Sequence, residues 1–256
     1  MLELNSIYQG DCLQVFKGIA TGAVDMVLMD LPYGVTRMAH DSVIPLDKLW
    51  PELRRITKPS AAIVLTGQDL FTAQLMLSNE KMHRYNLIWD KVLVTGHLNA
   101  NRMPMRQHED VMVFYRQLPT YNPQKTKGAG KSHSKGTGTD HKNQNYGKFA
   151  TVHTDDLHGE MKFPTSILRF PGVAKAKMTH PTEKPVALFE NLIRMYSNPG
   201  ELVLDGTAGS FVTAEAAQRA GRKWICVDQS AEYCRQGAER MDRYQKQALG
   251  RLPKRR

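Results

Sequence analysis

Asp30, Leu31, Pro32 and Tyr33 form the segment of this sequence best suited to chemistry, because they directly follow the apolar run Val24 to Met29. Such a run is typical of a buried parallel strand, and in open α/β sheets ligands bind where such strands end. The exocyclic amine of a base is a poor nucleophile, since its lone pair is delocalised into the ring. The Asp30 carboxylate and the Leu31 carbonyl would accept its two hydrogens, while Tyr33 offers a ring on which a flipped base stacks. An acid before a proline turn is also common at strand ends, so this tetrapeptide alone leaves a purely structural interpretation open.

A second acid and a glycine-rich turn follow another short apolar strand, which ends at Asp205. The turn leads into the helical pattern of residues 212–220, and the next apolar strand ends at Asp228. Glycines allow close approach of the backbone to a ligand, and a terminal acid accepts hydrogen bonds from ribose hydroxyls. The pattern therefore predicts a site for an adenosine-containing cofactor, with a turn formed by Gly206, Thr207, Gly209 and Ser210.

Together the two motifs resemble those of S-adenosylmethionine-dependent DNA amino-methyltransferases, which methylate adenine N6 or cytosine N4. Leu31 stands where that family's catalytic motif, Asp/Asn/Ser-Pro-Pro-Tyr/Phe, usually has proline. Gly206 and Thr207 replace the Pro and Phe of its cofactor motif, Asp-Pro-Phe-x-Gly-Ser-Gly. The resemblance implies S-adenosylmethionine as cofactor and double-stranded DNA as partner. It also implies direct methyl transfer from sulfonium to amine, without a covalent intermediate and without a metal.

The catalytic motif precedes the cofactor motif, and this order resembles the beta class of the family. It implies a circularly permuted sheet in which residues 6–9 form the strand beside residues 224–228. Asp11 then falls where the family contacts the adenine amine of the cofactor, although it is equally suited to cap a helix starting near Leu13. The resemblance also assigns Lys184, in the segment from His180 to Pro185, to the carboxylate of the cofactor.

Apolar periodicity predicts an α/β fold throughout the remaining chain. Together with the family resemblance, which implies the methyltransferase sheet and its circular permutation, this pattern leads us to expect a doubly wound, mostly parallel, seven-stranded Rossmann-like methyltransferase sheet that is circularly permuted and has one antiparallel strand. Helices are predicted at 46–56, 69–79, 212–220 and 231–249, and strands at 6–9, 24–29, 61–65, 85–89, 110–114, 202–205 and 224–228.

Length and composition fit one catalytic domain. A chain of 256 residues with 41% hydrophobic residues can bury a sizeable core without metal or disulfide help. Its three cysteines, Cys12, Cys226 and Cys234, show no ligand spacing, which favours a reducing cytoplasm. No apolar window approaches the length of a membrane helix, so we expect no membrane partner.

The positive charge concentrates in one segment. Residues 116–148 carry seven Lys or Arg against one acid, so 7 minus 1 gives this segment a net charge of +6, out of +10 for the whole chain. The segment is rich in Gly, Ser and Thr and has neither helical nor strand periodicity, so it is either a flexible polar insertion or an element that tracks phosphates. The second alternative agrees with the beta class, and it divides the chain into a catalytic domain (1–115 and 161–249), a target-recognition insertion (116–160) and a basic tail (250–256).

Several residues are candidates for DNA contact. Trp89 closes a strand at the ligand edge and could pack near a flipped base opposite Tyr33, although a tryptophan there is more often part of the core. His108 and Glu109 lack companions at metal-ligand spacing, so no metal site is expected. The candidate phosphate contacts are Arg102 and Arg106 in a polar loop and Lys125, Lys127, Lys131 and Lys135 in the insertion.

Asp at the first catalytic position goes mostly with adenine in the family, so the resemblance favours site-specific adenine N6 methylation. Alternatives are cytosine N4 methylation, methylation of RNA or of a protein amide, and a nucleic-acid-binding relative without activity. The beta-class resemblance also makes a homodimer and a partner restriction nuclease expectations.

Overall fold

The computed structural model describes residues 2–33, 44–127, 161–173, 178 and 183–250. Within these residues ten strands occupy Ser6–Gln9 (β1), Val24–Met29 (β2), Thr57–Gly67 (β3), His83–Thr95 (β4), Arg106–Phe114 (β5), Thr126–Lys127 (β6), Met161–Lys162 (β7), Ile167–Arg169 (β8), Leu202–Asp205 (β9) and Lys223–Asp228 (β10). The same described residues form six α-helices, at Cys12–Phe16 (α1), Leu46–Ile56 (α2), Asp69–Ser78 (α3), Val186–Tyr196 (α4), Val212–Arg219 (α5) and Ala231–Gly250 (α6), and one short 3-10 helix at His97–Asn99.

Eight strands form one sheet in the order β1-β10-β9-β2-β3-β5-β4-β8. Only β5 runs against its neighbours β3 and β4 among these eight strands of the described chain. The amino-terminal strand β1 pairs in parallel with β10, with Ser6 opposite Ile225 and Gln9 opposite Asp228. The mostly parallel, permuted sheet with one antiparallel strand is therefore confirmed.

Helices cover both faces of the sheet because the central strands alternate their side chains between two cores. In β2, Met26 and Leu28 pack with α4 and α5, whereas Val27 and Met29 pack with α1, α2 and α3. Both sets are fully buried, which is the pattern expected of a doubly wound sheet.

Strand β8 and helix α4 were not predicted from the sequence. Strand β8 adds an eighth strand at the edge and pairs in parallel with β4, with Leu168 opposite Trp89. It has three residues, too few for a strand pattern to be recognised. Helix α4 buries Leu188, Leu192 and Ile193 against the sheet and directly follows Pro185.

The chain divides into two compact units, one comprising residues 1–122 and 166–256 and the other residues 123–165. Residues 116–122, which the sequence assigned to the insertion, lie with the larger unit. Arg116 donates hydrogen bonds to the carbonyls of Thr57 (2.7 Å) and Lys58 (3.0 Å), and the Asn122 amide donates to that of Met195 (2.7 Å). In the smaller unit β6 and β7 pair antiparallel.

Within the part of the chain that the structure describes, no helix combines the length and apolar character needed to cross a membrane.

The strand order brings three acids to one edge. Strands β10, β9 and β2 are parallel neighbours, and Asp228, Asp205 and Asp30 stand at their carboxyl ends. This edge is where open α/β sheets bind ligands.

Candidate active site

Asp30 is held by three side-chain donors. Its Oδ1 accepts hydrogen bonds from the Tyr33 hydroxyl at 3.0 Å and from the Thr66 hydroxyl. Its Oδ2 accepts one from the Lys184 ammonium at 2.6 Å. The carboxylate remains 22% exposed, so it is fixed in position and still open to an incoming group.

Packing fixes the rest of the turn at residues 30–33, here called the catalytic turn after its predicted role. Leu31 is 3% exposed and lies in the core with α1 to α3, so burial restrains the turn where the family's proline ring would. Burial, aided by the Asp30 charge, raises the pKa of Tyr33 well above its ordinary value, so Tyr33 stays a phenol and donates to Asp30. Its ring lies 5.0 Å from that of Phe71.

Asp205 supports from inside the turn at residues 206–210, here called the cofactor turn after its predicted role. It is 2% exposed, and its oxygens accept hydrogen bonds from the Thr207 amide at 2.9 Å and from the Thr213 hydroxyl. Burial raises the pKa of Asp205 to about 7, against the opposing effect of these two donors. The carboxylate therefore shapes the turn and the start of α5, a role that the sequence did not indicate.

Glycine at position 206 is required by the core. A Cβ there would lie 2.6 Å from the Phe16 ring and 2.8 Å from the Met29 methyl group, so the close approach that the sequence attributed to a ligand is made to side chains. Thr207, which replaces the family's usual residue, donates from its hydroxyl to the Asp30 carbonyl at 3.0 Å. The cofactor turn and the catalytic turn are thus directly bonded.

Asp228 and Asp11 border the turn on the β10 and β1 side. The Asp228 carboxylate accepts hydrogen bonds from the amides of Gly209 and Ser230, both at 2.8 Å, and Gly209 adopts a left-handed φ of +48°. Asp11 is exposed and caps α1 by accepting from the Gln14 amide at 3.1 Å. The helix-cap role of Asp11 is confirmed, and its contact with the cofactor adenine stays a prediction.

Lys184 lies against the Asp30 carboxylate, a partner that the sequence did not indicate. The preceding residue anchors the segment, because Glu183 pairs with Arg240 at 2.8 Å. Arg240 also pairs with Glu215 at 2.6 Å and donates to the Ser210 carbonyl at 3.1 Å. This network ties the Lys184 segment to α5, to α6 and to the cofactor turn.

Trp89 requires a correction as a candidate stacking residue. It is 3% exposed and packs in the core on the α4 and α5 side, and its indole donates to the Phe170 carbonyl at 2.8 Å. Tyr33 packs against the core on the other face of the sheet. Trp89 therefore has no open face for a base and does not lie opposite Tyr33.

The candidate phosphate contacts differ in their surroundings. Arg102 is exposed, and Arg106 forms a solvent-exposed ion pair with Asp69 at 3.2 Å. Lys125 lies 4.7 Å from the centre of the Phe163 ring, and Lys127 is exposed in β6. Lys131 and Lys135 lie outside the described residues.

Sequence reasoning missed Thr66, which contacts Asp30, and Glu109, which lies beside the Lys184 partner of Asp30. Thr66 lies near the carboxyl end of β3, the strand beside β2. Glu109 of β5 lies 3.3 Å from the Lys184 ammonium and pairs with Lys91 at 2.5 Å. A polar residue near the end of the neighbouring strand could have suggested Thr66, but Glu109 arrives through antiparallel pairing that only the fold specifies.

Comparison with known proteins agrees with this geometry. The family model described as DNA methylase, for N6 and N4 methyltransferases, matches residues 24–239. This chain therefore belongs to the N6/N4 DNA amino-methyltransferase family. The DNA adenine methyltransferase YhdJ of Escherichia coli (strain K12) is 25% identical over 271 residues, covering 99% of this chain and 89% of that protein. The type II methyltransferase M1.MboII of Moraxella bovis is 27% identical over 251 residues, covering 92% and 96%.

Solved structures share the fold. M1.HpyAVI in complex with S-adenosylmethionine has a TM-score of 0.60 at 18% identity, covering 93% of this chain and 98% of that one. The PvuII DNA methyltransferase, described as cytosine-N4-specific, has a TM-score of 0.66 at 15% identity, covering 96% and 92%. These likenesses confirm the mostly parallel α/β architecture.

Proposed function

We propose that this DNA methyltransferase transfers a methyl group from S-adenosylmethionine to the exocyclic N6 of an adenine flipped out of a specific site in duplex DNA. The observation that carries the proposal is the hydrogen bond from the Thr207 hydroxyl to the Asp30 carbonyl at 3.0 Å. It joins the turn suited to the cofactor to the turn suited to the amine, so both reactants would meet at one sheet edge.

The chemistry at Asp30 addresses the weak nucleophilicity of the adenine amine. Oδ2 accepts one bond, from Lys184, and a carboxylate oxygen has a second lone pair for an amine hydrogen. The Leu31 carbonyl would accept the other hydrogen. Two acceptors held in place draw the nitrogen toward a tetrahedral shape and aim its lone pair at the electrophile. Tyr33 would stack the base.

The acids on the β9, β10 and β1 side fit the cofactor. S-adenosylmethionine supplies an electrophilic methyl group on a sulfonium, and it carries a net positive charge that an acidic edge complements. Asp228 would accept from the ribose hydroxyls, since each of its oxygens uses one lone pair for a backbone amide. Asp11 would accept from the adenine amine. The backbone from Gly206 to Ser210 would border the cofactor, with Asp205 acting through the shape of the turn.

The departures from the family's motifs do not remove these contacts. Leu31 is immobilised by burial, Gly206 packs without a clash, and Thr207 forms a bond to the catalytic turn. These observations favour an active enzyme over a binding relative without activity.

Positively charged residues would meet the DNA backbone. Arg102, Arg106, Lys125 and Lys127, with Lys131 and Lys135 of the insertion, would neutralise phosphates and hold the duplex. The free cysteines Cys12, Cys226 and Cys234 suit the reducing cytoplasm, where DNA is available. A homodimer and a partner restriction nuclease stay predictions from the beta-class resemblance.

The test of substrate class is a side-by-side assay. Wild-type protein is given S-adenosylmethionine with a labelled methyl group, together with duplex DNA, RNA or an unrelated protein. We expect label in duplex DNA, and none with Asp30→Asn, while the exposed acid variant Asp47→Asn keeps the wild-type rate. Label in RNA or protein with none in DNA would refute the proposal.

A further inference from the structure

Lys184 is an ammonium group buried within reach of two carboxylates. Its side chain is 7% exposed, and its Nζ lies 2.6 Å from Asp30 Oδ2 and 3.3 Å from Glu109 Oε2. Removing an ammonium from water costs several kcal/mol unless carboxylates compensate. The two carboxylates therefore fix the position of the Lys184 ammonium in the described structure.

Glu109 is the second of these carboxylates and is itself nearly buried, with 11% of its side chain exposed. Its Oε1 pairs with Lys91 at 2.5 Å, while its Oε2 has no hydrogen-bond partner among the described residues. A buried carboxylate oxygen without a hydrogen bond is costly, and the Lys184 ammonium lies 3.3 Å from it. Asp30, Glu109, Lys91 and Lys184, here called the charge cluster, sum to zero charge.

Lys184 keeps its proton within the charge cluster. Burial acts against the charged form of Lys184, but the nearby carboxylates of Asp30 and Glu109 outweigh it and raise the pKa of Lys184 well above its ordinary value. Lys184 therefore cannot act as a base at neutral pH. With Tyr33 and Thr66 it donates to Asp30, so the carboxylate keeps one orientation, and the lone pair left on Oδ2 points in one direction.

We propose that Lys184 is a positioning residue for the amine-binding carboxylate of Asp30, with Glu109 as its second anchor, and that it does not hold the carboxylate of the cofactor. The inference rests on the proposed function, because the amine is the group that Asp30 orients. Glu109 acts through Lys184, so its effect depends on that lysine being present.

The test separates cofactor binding from methyl transfer in purified full-length variants. In Lys184→Met, S-adenosylmethionine Kd measured by calorimetry should stay within about threefold of wild type. The kcat for duplex DNA at saturating cofactor should fall about 10- to 100-fold, the range for one charge-assisted hydrogen bond. Lys184→Arg keeps the cation and should recover part of the kcat that Lys184→Met loses. If Lys184 only contacted the cofactor, kcat at saturating cofactor would not fall, and arginine would have no kcat to recover.

Two further variants keep the test decisive where Lys184→Met leaves buried acids uncompensated and fails to fold. Lys184→Met/Glu109→Gln removes one charge of each sign, so the charge cluster stays neutral. Where Lys184→Met folds, the double variant should have a kcat no lower than that of Lys184→Met. Where Lys184→Met does not fold, the double variant itself should have a kcat about 10- to 100-fold below wild type with Kd within about threefold, because Asp30 loses the same ammonium donor. Glu109→Gln alone should lower kcat by a smaller factor. Additive losses in the double variant would contradict an action of Glu109 through Lys184.

A lysine near the amino-terminal ends of β2 and β3, opposite the edge that carries Asp30, serves as the control. Lys58 pairs with Asp25 of β2 at 2.5 Å and is 48% exposed, so Lys58→Met should leave both Kd and kcat unchanged. A Kd raised tenfold or more by Lys184→Met or by the double variant, with kcat kept at saturating cofactor, would overturn the inference. A wild-type protein without methyl transfer to duplex DNA would instead refute the proposed function.

Discussion

Replacing the buried acid of the cofactor turn should change how stability depends on pH. Asp205 is 2% exposed, and burial raises its pKa to about 7. The unfolded chain exposes the same group with a pKa of about 3.9, so the folded form binds the extra proton between these values. Folding stability contributed by this group therefore falls as pH rises from about 4 to about 7, and then levels off.

The magnitude follows from the difference in pKa. A pKa difference of about three corresponds to roughly 4 kcal/mol over the full range, and more than half of this change falls between pH 5 and pH 8. Asn at position 205 has a similar shape and no charge, and its amide oxygen can still accept from the Thr207 amide. The free energy of unfolding of Asp205→Asn, relative to wild type, should rise by that amount from pH 5 to pH 8.

Urea denaturation at half-unit steps of pH measures this difference directly. Other titrating groups cancel between the two proteins, and the exposed variant Asp47→Asn should show a much smaller pH dependence relative to wild type. A difference for Asp205→Asn that stays constant from pH 5 to pH 8 would refute the reasoning. It would mean that the bonds from Thr207 and Thr213 keep the buried carboxylate ionised throughout.

Three further predictions concern function. Asp30→Ala should abolish methyl transfer and leave the S-adenosylmethionine Kd within a few-fold of wild type, because we assign Asp30 to the amine and not to the cofactor; joint loss of both in calorimetry and rate assays would contradict this. Asp228→Ala should weaken cofactor binding by about 1.5 to 3 kcal/mol, the value of a charge-assisted hydrogen bond, and an unchanged Kd would remove Asp228 from the site. Residues 124–148 contain six lysines, so deleting them should lower the slope of log affinity for DNA against log salt by about 5 if each meets a phosphate; equal slopes would place the phosphate contacts elsewhere.

The sheet was predictable from the sequence because its strands are apolar runs of adequate length bounded by turn residues. The acids at the ends of β2, β9 and β10 followed from the same pattern, since parallel strands share one carboxyl edge. The neighbour of β1 was also predicted, because the beta-class resemblance places residues 6–9 beside residues 224–228, and the structure pairs β1 with β10. Strand β8, with three residues, lacks that information.

The direction of individual side chains was not predictable in the same way. Trp89 stands at the ligand edge in the sequence, yet alternation along β4 turns it into the core. Asp205 ends a strand like Asp30, but Thr213 of α5 lies beside it and satisfies it internally. Glu109 reaches Lys184 only because β5 runs antiparallel beside β3, a pairing between residues far apart in the chain.

Identification of the methylated base tests the central claim most directly. Duplex DNA is methylated by the wild-type protein with labelled S-adenosylmethionine, digested to nucleosides and separated, with Asp30→Asn as the inactive control. The account predicts label in N6-methyl-2′-deoxyadenosine from wild-type reactions and none from the variant. Label in N4-methyl-2′-deoxycytidine would contradict the adenine assignment, and DNA without label would contradict the account as a whole.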